Sequence, residues 1–227
     1  MEYRSTRNPE LGTRNCGASR RDERVSRRTK RAIDIIGSAA GLVVAAPLLL
    51  LAALAIQLDS PGPALFRQRR IGQHGVPFTL YKLRGMHVDA RLRFPELYQY
   101  HYTDADLDRL HFHAANDPRV TRLGRFLRRT SIDELPNLWN VLRGEMSLVG
   151  PRPEIEEMMP YYDDARDLIL SVKPGLTSLA KASGRDYLTF RQTLQLDVAY
   201  VRNHSLARDR QILLWTLLDV LRCRYVC

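Results

Sequence analysis

Between Ile35 and Ile56 the chain runs for 22 residues without a charge, IIGSAAGLVVAAPLLLLAALAI. As a helix rising about 1.5 Å per residue, this run matches the roughly 30 Å of a bilayer's hydrocarbon. It is too long and too far from the start for a signal-peptide core, and no small-residue cleavage site stands out. Pro47 sits in its middle, where a missing N–H and a clash with the preceding turn predict a kink. Both flanks are basic. Residues 1–31 hold ten Lys/Arg against four acids, and residues 57–93 carry Arg67, Arg69, Arg70, Lys82, Arg84, Arg91 and Arg93 against Asp59 and Asp89. Basic flanks belong on the cytoplasmic side of a membrane. Both can lie there only if the helix enters, bends near Pro47 and leaves by the same face. The residues therefore leave two topologies open, a re-entrant hairpin and an ordinary crossing.

The whole chain has 227 residues, enough for one sizeable domain, and a formal charge of +10 with a pI near 9.9. That balance suits a polyanion, an anionic membrane surface or a phosphate-bearing substrate. Residues 1–30 read as a basic, disordered arm. It has no aromatic interleaving for base stacking, so no nucleic acid is expected, and anionic lipid headgroups are the fitting contact. Cys16, Cys223 and Cys227 are odd in number and lie near the ends, so they make neither a disulfide framework nor a metal set. The divisions expected are 1–30, the membrane helix 31–58, a folded domain 59–222 and a tail 223–227.

Within the domain, Ser60-Pro61-Gly62-Pro63 is a turn. ALFRQRRI and VPFTLYKLR then flank Gly72-Gln73-His74-Gly75 and predict a β-hairpin. In its second arm Phe78, Leu80, Lys82 and Arg84 share a face by period two. Residues 87–127 are polar and predict helix. His111 and His113 lie two apart, on opposite sides of a helix, and read as solvated rather than as a metal pair. Residues 154–172 predict an amphipathic helix, 176–186 a loop with Lys181 and Arg185, and 187–202 a further helix. Residues 209–222 form an apolar-sided helix with Trp215 among leucines, suited to a core or a membrane interface. The fold class is α+β, mainly helical.

The stretch from Arg128 to Pro153, RRTSIDELPNLWNVLRGEMSLVGPRP, sets adjacent carboxylates, Asp133 and Glu134, among arginines. Ser131 and Glu134 have capping-box spacing. Pro136 favours Asp133 as the cap, because the proline then falls in the first helical turn, where a missing donor costs little. Leu135, Leu138, Trp139 and Leu142 would make the buried stripe, with Gly144 as the stop. The pair then lies exposed at a helix N-terminus, with Arg128, Arg129 and Arg152 nearby. Adjacent helical side chains diverge by about 100°, so the two acids need not share a task. One can ligate Mg2+ and the other can attack phosphorus. On residues alone, a structural cap and a catalytic pair both account for the stretch.

Several motifs in this order, SPGPALFRQRRIG, PFTLYKLRGM, DPRVTRLGRFLRRTSIDELPNLWNVLRGEMSLVGPRP, VKPGLT and LDVAYVRNHS, resemble the bacterial sugar transferase family. These are the monotopic phosphoglycosyl transferases, and the likeness runs from about Lys30 to about Leu221 with no multi-span region before it, as in the minimal catalytic form. The resemblance implies a re-entrant membrane helix broken at Pro47. It implies a small hairpin and interfacial amphipathic helices around an active site on the cytoplasmic face of the bacterial inner membrane. It implies that Asp133 attacks the β-phosphate of a UDP-sugar and expels UMP, and that polyprenol (undecaprenyl) phosphate then takes the phosphosugar. Glu134 matches the Mg2+ ligand and Lys82 an active-site lysine. Arg152, in the loop Pro151-Arg152-Pro153, matches a phosphate binder. Arg128 and Asp197 match further positions needed for activity. UDP-sugar, polyprenol phosphate and membrane lipids are the implied partners, and a homodimer is left open. The run 177–185 departs from a TGLWQVSGR-like pattern. Ser178 replaces a glycine, and Lys181 and Ala182 replace glutamine and valine; Gly85 also replaces a frequent serine or threonine. These changes bear on sugar choice. The alternative they motivate is a non-catalytic membrane-anchored protein of the same fold.

Overall fold

The computed structural model describes residues 20–111, 117–184 and 187–222. The expectations for residues 1–19, the three cysteines, His113 and Arg185 lie outside them. The described fold is mainly helical with a small antiparallel hairpin, in line with the sequence.

Helix α1 (Arg20–Asp59) contains the whole apolar run, with Pro47 inside it, and is long and apolar enough to cross a membrane. One stripe of it is buried: Asp34, Ser38, Ala45, Ala52 and Ile56. Steps of four and seven residues keep these positions on one helical face. Ile36, Val43, Val44, Leu50, Leu51 and Leu58 on the remaining surface are exposed. The buried stripe is fixed at both ends. Lys30 Nζ donates to Asp209 Oδ2 at 2.5 Å and to Val149 O at 3.0 Å, and Arg31 donates to Val141 O and Leu142 O at 2.7 Å each. Buried Asp34 accepts from Ser147 Oγ and Leu148 N. At the far end the Arg84 guanidinium donates to Ile56 O, Ser60 O and Pro61 O. A buried cation needs such acceptors to offset its lost hydration.

Strands β1 (Leu65–Ile71) and β2 (Pro77–Leu83) form the expected hairpin, in register from Leu65 opposite Leu83 to Ile71 opposite Pro77. His74 and Gly75 turn the chain at positive φ. Phe78 and Leu80 point into a small core with Val141 and Met146, so Lys82, two further along, is carried to the same side. Arg84 does not act beside Lys82; its bonds go to the end of α1.

Residues 87–127 are not one helix. Pro95 and Pro118 break the run, leaving one-turn pieces at Ala90–Arg93 and Asp104–Leu107 and a regular helix α2 (Arg122–Thr130). Helix α3 spans Asn137–Arg143 and stops at Gly144, whose φ is +86°. Strands β3 (Ser147–Val149) and β4 (Gly175–Thr177) pair in parallel, a second sheet that sequence pattern did not indicate. Between them, 154–172 is not an α-helix throughout. Pro160 and a positive φ at Asp163 leave Glu156–Ala165 in 3-10 turns, followed by a short helix at Arg166–Leu170. Its apolar positions still bury, as Met158, Met159, Tyr162 and Ile169 pack on Phe190 and Leu107. Helices α4 (Leu179–Ser183), α5 (Phe190–Arg202) and α6 (Leu206–Arg222) follow. Thr189 caps α5 in a full capping box with Gln192. Trp215 packs with the core that holds Tyr200 and Ile212, while Leu214 and Leu217 of α6 face outward.

Candidate active site

The carboxylate pair sits on a reversal between α2 and α3. Thr121 caps α2 at its start, and Ser131 closes it in the left-handed conformation at φ 60°. Residues 132–134 then make one 3-10 turn, and Pro136 itself precedes α3. Neither the Ser131–Glu134 box nor an Asp133 cap forms. The helix begins later because proline tolerates only the N-terminal edge, where its absent N–H has no partner to lose. The later start turns the stripe. Asn137, Leu138, Asn140 and Val141 are the buried positions, and Trp139 is 47% exposed. Nor is the pair exposed as expected: Asp133 is 7% and Glu134 8% accessible.

Buried charge demands compensation, and Glu134 has it twice. Lys82 Nζ donates to Oε1 at 2.9 Å, and Lys181 Nζ makes a close contact with Oε2. Asp133 is held differently. Its Oδ1 is enclosed and has no hydrogen-bond partner. Burial, then the adjacent Glu134 charge, pushes its carboxyl up to about 6, against the pull of Lys82, Lys181 and Arg128. Burial also lowers the Arg128 guanidinium, against the pull of Asp133 and Asp117. Arg128 thus links the pair to Asp117, 4.0 Å away.

Asn140 fixes hairpin to helix. It is wholly buried, donates to Thr79 O at 2.7 Å and accepts from Tyr81 N at 3.3 Å, which sets Lys82 opposite Glu134. The Pro151–Pro153 loop is placed by the second sheet. Gly150 N donates to Thr177 O and Gly175 N to Pro151 O. A Cβ on Gly175 would lie 2.1 Å from Gly150 N, so the two backbones meet only because both positions lack side chains. Arg152 Nε reaches Glu154 at 3.1 Å, and its backbone N donates to Asp197 Oδ2 at 3.3 Å. Arg70 grips the same loop through Pro153 O and Glu154. Asp197 is buried behind Arg152, its Oδ1 unpartnered, and burial pushes its carboxyl up to about 8.

One pocket therefore gathers Lys82, Glu134, Arg152 and Pro153 from distant parts of the chain, together with Arg70 and Lys181. Asp133 adjoins it through Glu134 and Arg128, Asp197 backs it, and Pro151 is fully buried beneath it. Pro47 lies in the exposed part of α1 and belongs to none of this. Sequence reasoning did not single out Arg70, Asn140 or Glu154. Arg70 resembled ordinary strand charge, and only its place opposite Phe78 in the hairpin register hints that it faces inward. Lys181 was visible as a departure, without a partner. Among the described residues no group of three or more His, Cys, Asp or Glu gathers. A hard cation that keeps most of its ligands as water and phosphate needs only one or two carboxylates, and the Glu134 oxygens on the pocket wall fit that requirement.

Residues 25–223 match the family described as bacterial sugar transferase. The chain is 44% identical to a UDP-glucose:undecaprenyl-phosphate glucose-1-phosphate transferase of Caulobacter vibrioides, over 85% of this chain and 69% of that one. It is 40% identical to an undecaprenyl-phosphate galactose phosphotransferase of Salmonella typhimurium, over 88% of this chain and 42% of the relative, so it spans about two-fifths of that protein's length. It is 38% identical to the exopolysaccharide production protein PSS of Rhizobium leguminosarum, over 85% and 94% of the two chains.

Proposed function

The chain belongs to the bacterial sugar transferase family, and from that premise we propose that it moves a sugar 1-phosphate from a UDP-sugar to polyprenol phosphate. The observation that carries the reading is the buried carboxylate pair beside a pocket walled by Lys82, Lys181, Arg70 and Arg152. Such a pocket suits a diphosphate, since positive groups in a partly dehydrated cleft stabilise charge developing on phosphoryl oxygens.

The two acids divide the work. Glu134 is tied by two ammonium groups, whereas Asp133 keeps one oxygen without a partner. In this reading the Asp133 carboxylate attacks the β-phosphorus of the donor. A carboxylate oxygen–phosphorus bond forms, the bond to the α-phosphate oxygen breaks, and UMP leaves with the electron pair. A phosphate oxygen of polyprenol phosphate then attacks the same phosphorus and returns Asp133 as a free carboxylate. Arg152, braced by Glu154 and Asp197, orients the phosphoryl group, and Arg128 balances the Asp133 charge before and after transfer. A Mg2+ ion bound through Glu134 would supply further neutralisation of the diphosphate.

The acceptor is a lipid, and α1 supplies the membrane contact. Both ends of the apolar run are tied to one domain, through Lys30, Arg31 and Asp34 at one end and Arg84 at the other. This supports a helix that enters and leaves by one face, with the basic flanks on the cytoplasmic side of a bacterial inner membrane.

The full chain in detergent with a UDP-sugar, Mg2+ and undecaprenyl phosphate should release UMP. Release of UDP instead would indicate direct glycosyl transfer and overturn the reading. Asp133→Asn should reduce turnover to background, because an amide is a poor nucleophile.

A further inference from the structure

Two lysines share one carboxylate in this site. Lys82 comes from β2 and holds Glu134 Oε1, while Lys181 comes from α4 and takes Oε2. Lys181 is not a surface side chain that happens to reach inward. Ser178 caps α4 by accepting from Lys181 N at 3.0 Å, which fixes the backbone from which the side chain leaves. The ammonium also donates to Leu176 O at 3.3 Å, so its head is held from two sides, and the side chain is 19% exposed. Ser178 and Lys181 both belong to the divergent run 177–185.

A divalent ion approaching Glu134 thus meets a carboxylate whose two oxygens already face ammonium donors. Metal coordination at about 2.0–2.1 Å needs a lone pair that points into open space; each oxygen keeps a second one, but the ammonium head on the first crowds and repels the ion. We propose that Lys181 is a tethered cation that competes with the divalent metal for Glu134, so that the metal binds by displacing the Lys181 ammonium from Oε2. This deepens the reading of Glu134 as metal ligand and rests on it. Of the two lysines, Lys181 is the one to yield. Lys82 is carried by the hairpin, which Asn140 locks to α3, whereas α4 is a five-residue helix ahead of a glycine. Once displaced, the ammonium stays on the pocket wall, where it meets the donor's phosphates.

The test is Mn2+ binding to the full chain in detergent micelles without nucleotide, followed by the loss of the free-ion paramagnetic resonance signal. Lys181→Gln and Lys181→Met should each bind Mn2+ about tenfold more tightly than the unsubstituted chain, an increment of about 1.4 kcal/mol. Lys181→Arg, which keeps the charge, should bind close to the original. Adding Glu134→Gln to Lys181→Gln should erase the gain. Thermal unfolding of each variant identifies those that fold, and two neutral substitutions guard against the loss of one. Unchanged affinity in the folded neutral variants overturns the proposal. So does an equal gain from Arg202→Gln, which removes a surface charge on α5. UMP release is assayed in parallel on the unsubstituted chain. Its absence would count against the transferase reading and leave the Mn2+ result standing by itself.

Discussion

Asp197 shows how a single buried group couples the fold to pH. Burial pushes its carboxyl up to about 8, well above its unfolded value, despite the hydrogen bond from Arg152 N. The native state therefore holds a proton here that the unfolded chain gives up. A raised carboxyl of this kind contributes stability that is fully present below about pH 4 and is lost as pH rises toward 8, with a slope up to about 1.4 kcal/mol per pH unit. Asp197→Asn keeps an oxygen acceptor for Arg152 N and cannot ionise. Its thermal midpoint should fall less between pH 5 and pH 8 than that of the unsubstituted chain; parallel curves would show that Asp197 is ionised throughout. At this scale the sequence was read poorly for surroundings. Motif resemblance pointed to Asp133, Glu134, Lys82, Arg152 and Asp197, and the structure brings them to one pocket and its backing. The ion pairs of Glu134 could not be read, because Lys82 and Lys181 lie 52 and 47 residues away in sequence and period-two or helical spacing carries no information over such intervals.

Elements are placed here by close backbone approach as much as by side chains. Helix α2 carries Arg128 and lies against the end of β2 through two glycines. A Cβ on Gly124 would sit 1.9 Å from Gly85 O and 2.6 Å from Gly85 C, both backbone atoms that cannot swing away. Gly124→Ala should therefore push α2 outward and cost about 1–3 kcal/mol, the range for overpacking a tight contact. It should also lower turnover by displacing Arg128. The checks are a thermal melt and an activity assay, and an alanine variant with both intact would show that the contact is loose. The contact does not explain the glycine at position 85, since a Cβ there would meet Gly124 Cα at an ordinary 3.5 Å. Where the element expectations failed, prolines and turns were responsible. Pro95 and Pro118 interrupt the polar run 87–127 and Pro160 the amphipathic run 154–172, both read as helix, and Pro136 delays α3 enough to turn Trp139 outward. The hairpin, by contrast, was legible because its loop chemistry and strand alternation are local signals. The parallel pairing of β3 and β4 was not, since it joins three-residue strands 28 residues apart in register.

At the scale of the whole molecule the apolar run was the plainest signal, and its path is the property most open to test. Single cysteines placed at Arg28 and Asp59, in a chain whose own cysteines are replaced by serine, should both react with an impermeant maleimide only when the cytoplasmic face is accessible. Reaction from opposite faces would make α1 a crossing helix. The tie from Lys30 to Asp209 joins residues 179 apart. At about 5–20 residues per second, the ribosome would deliver Asp209 roughly 10–35 s after Lys30. For about the first two-thirds of that interval Lys30 and Asp34 have none of the partners that later receive them, since Val149 follows Lys30 by 119 residues and Ser147 follows Asp34 by 113. Helix α1 must therefore find its first surroundings elsewhere, and α6 adds its tie to Lys30 only after residues 141–149 have added theirs.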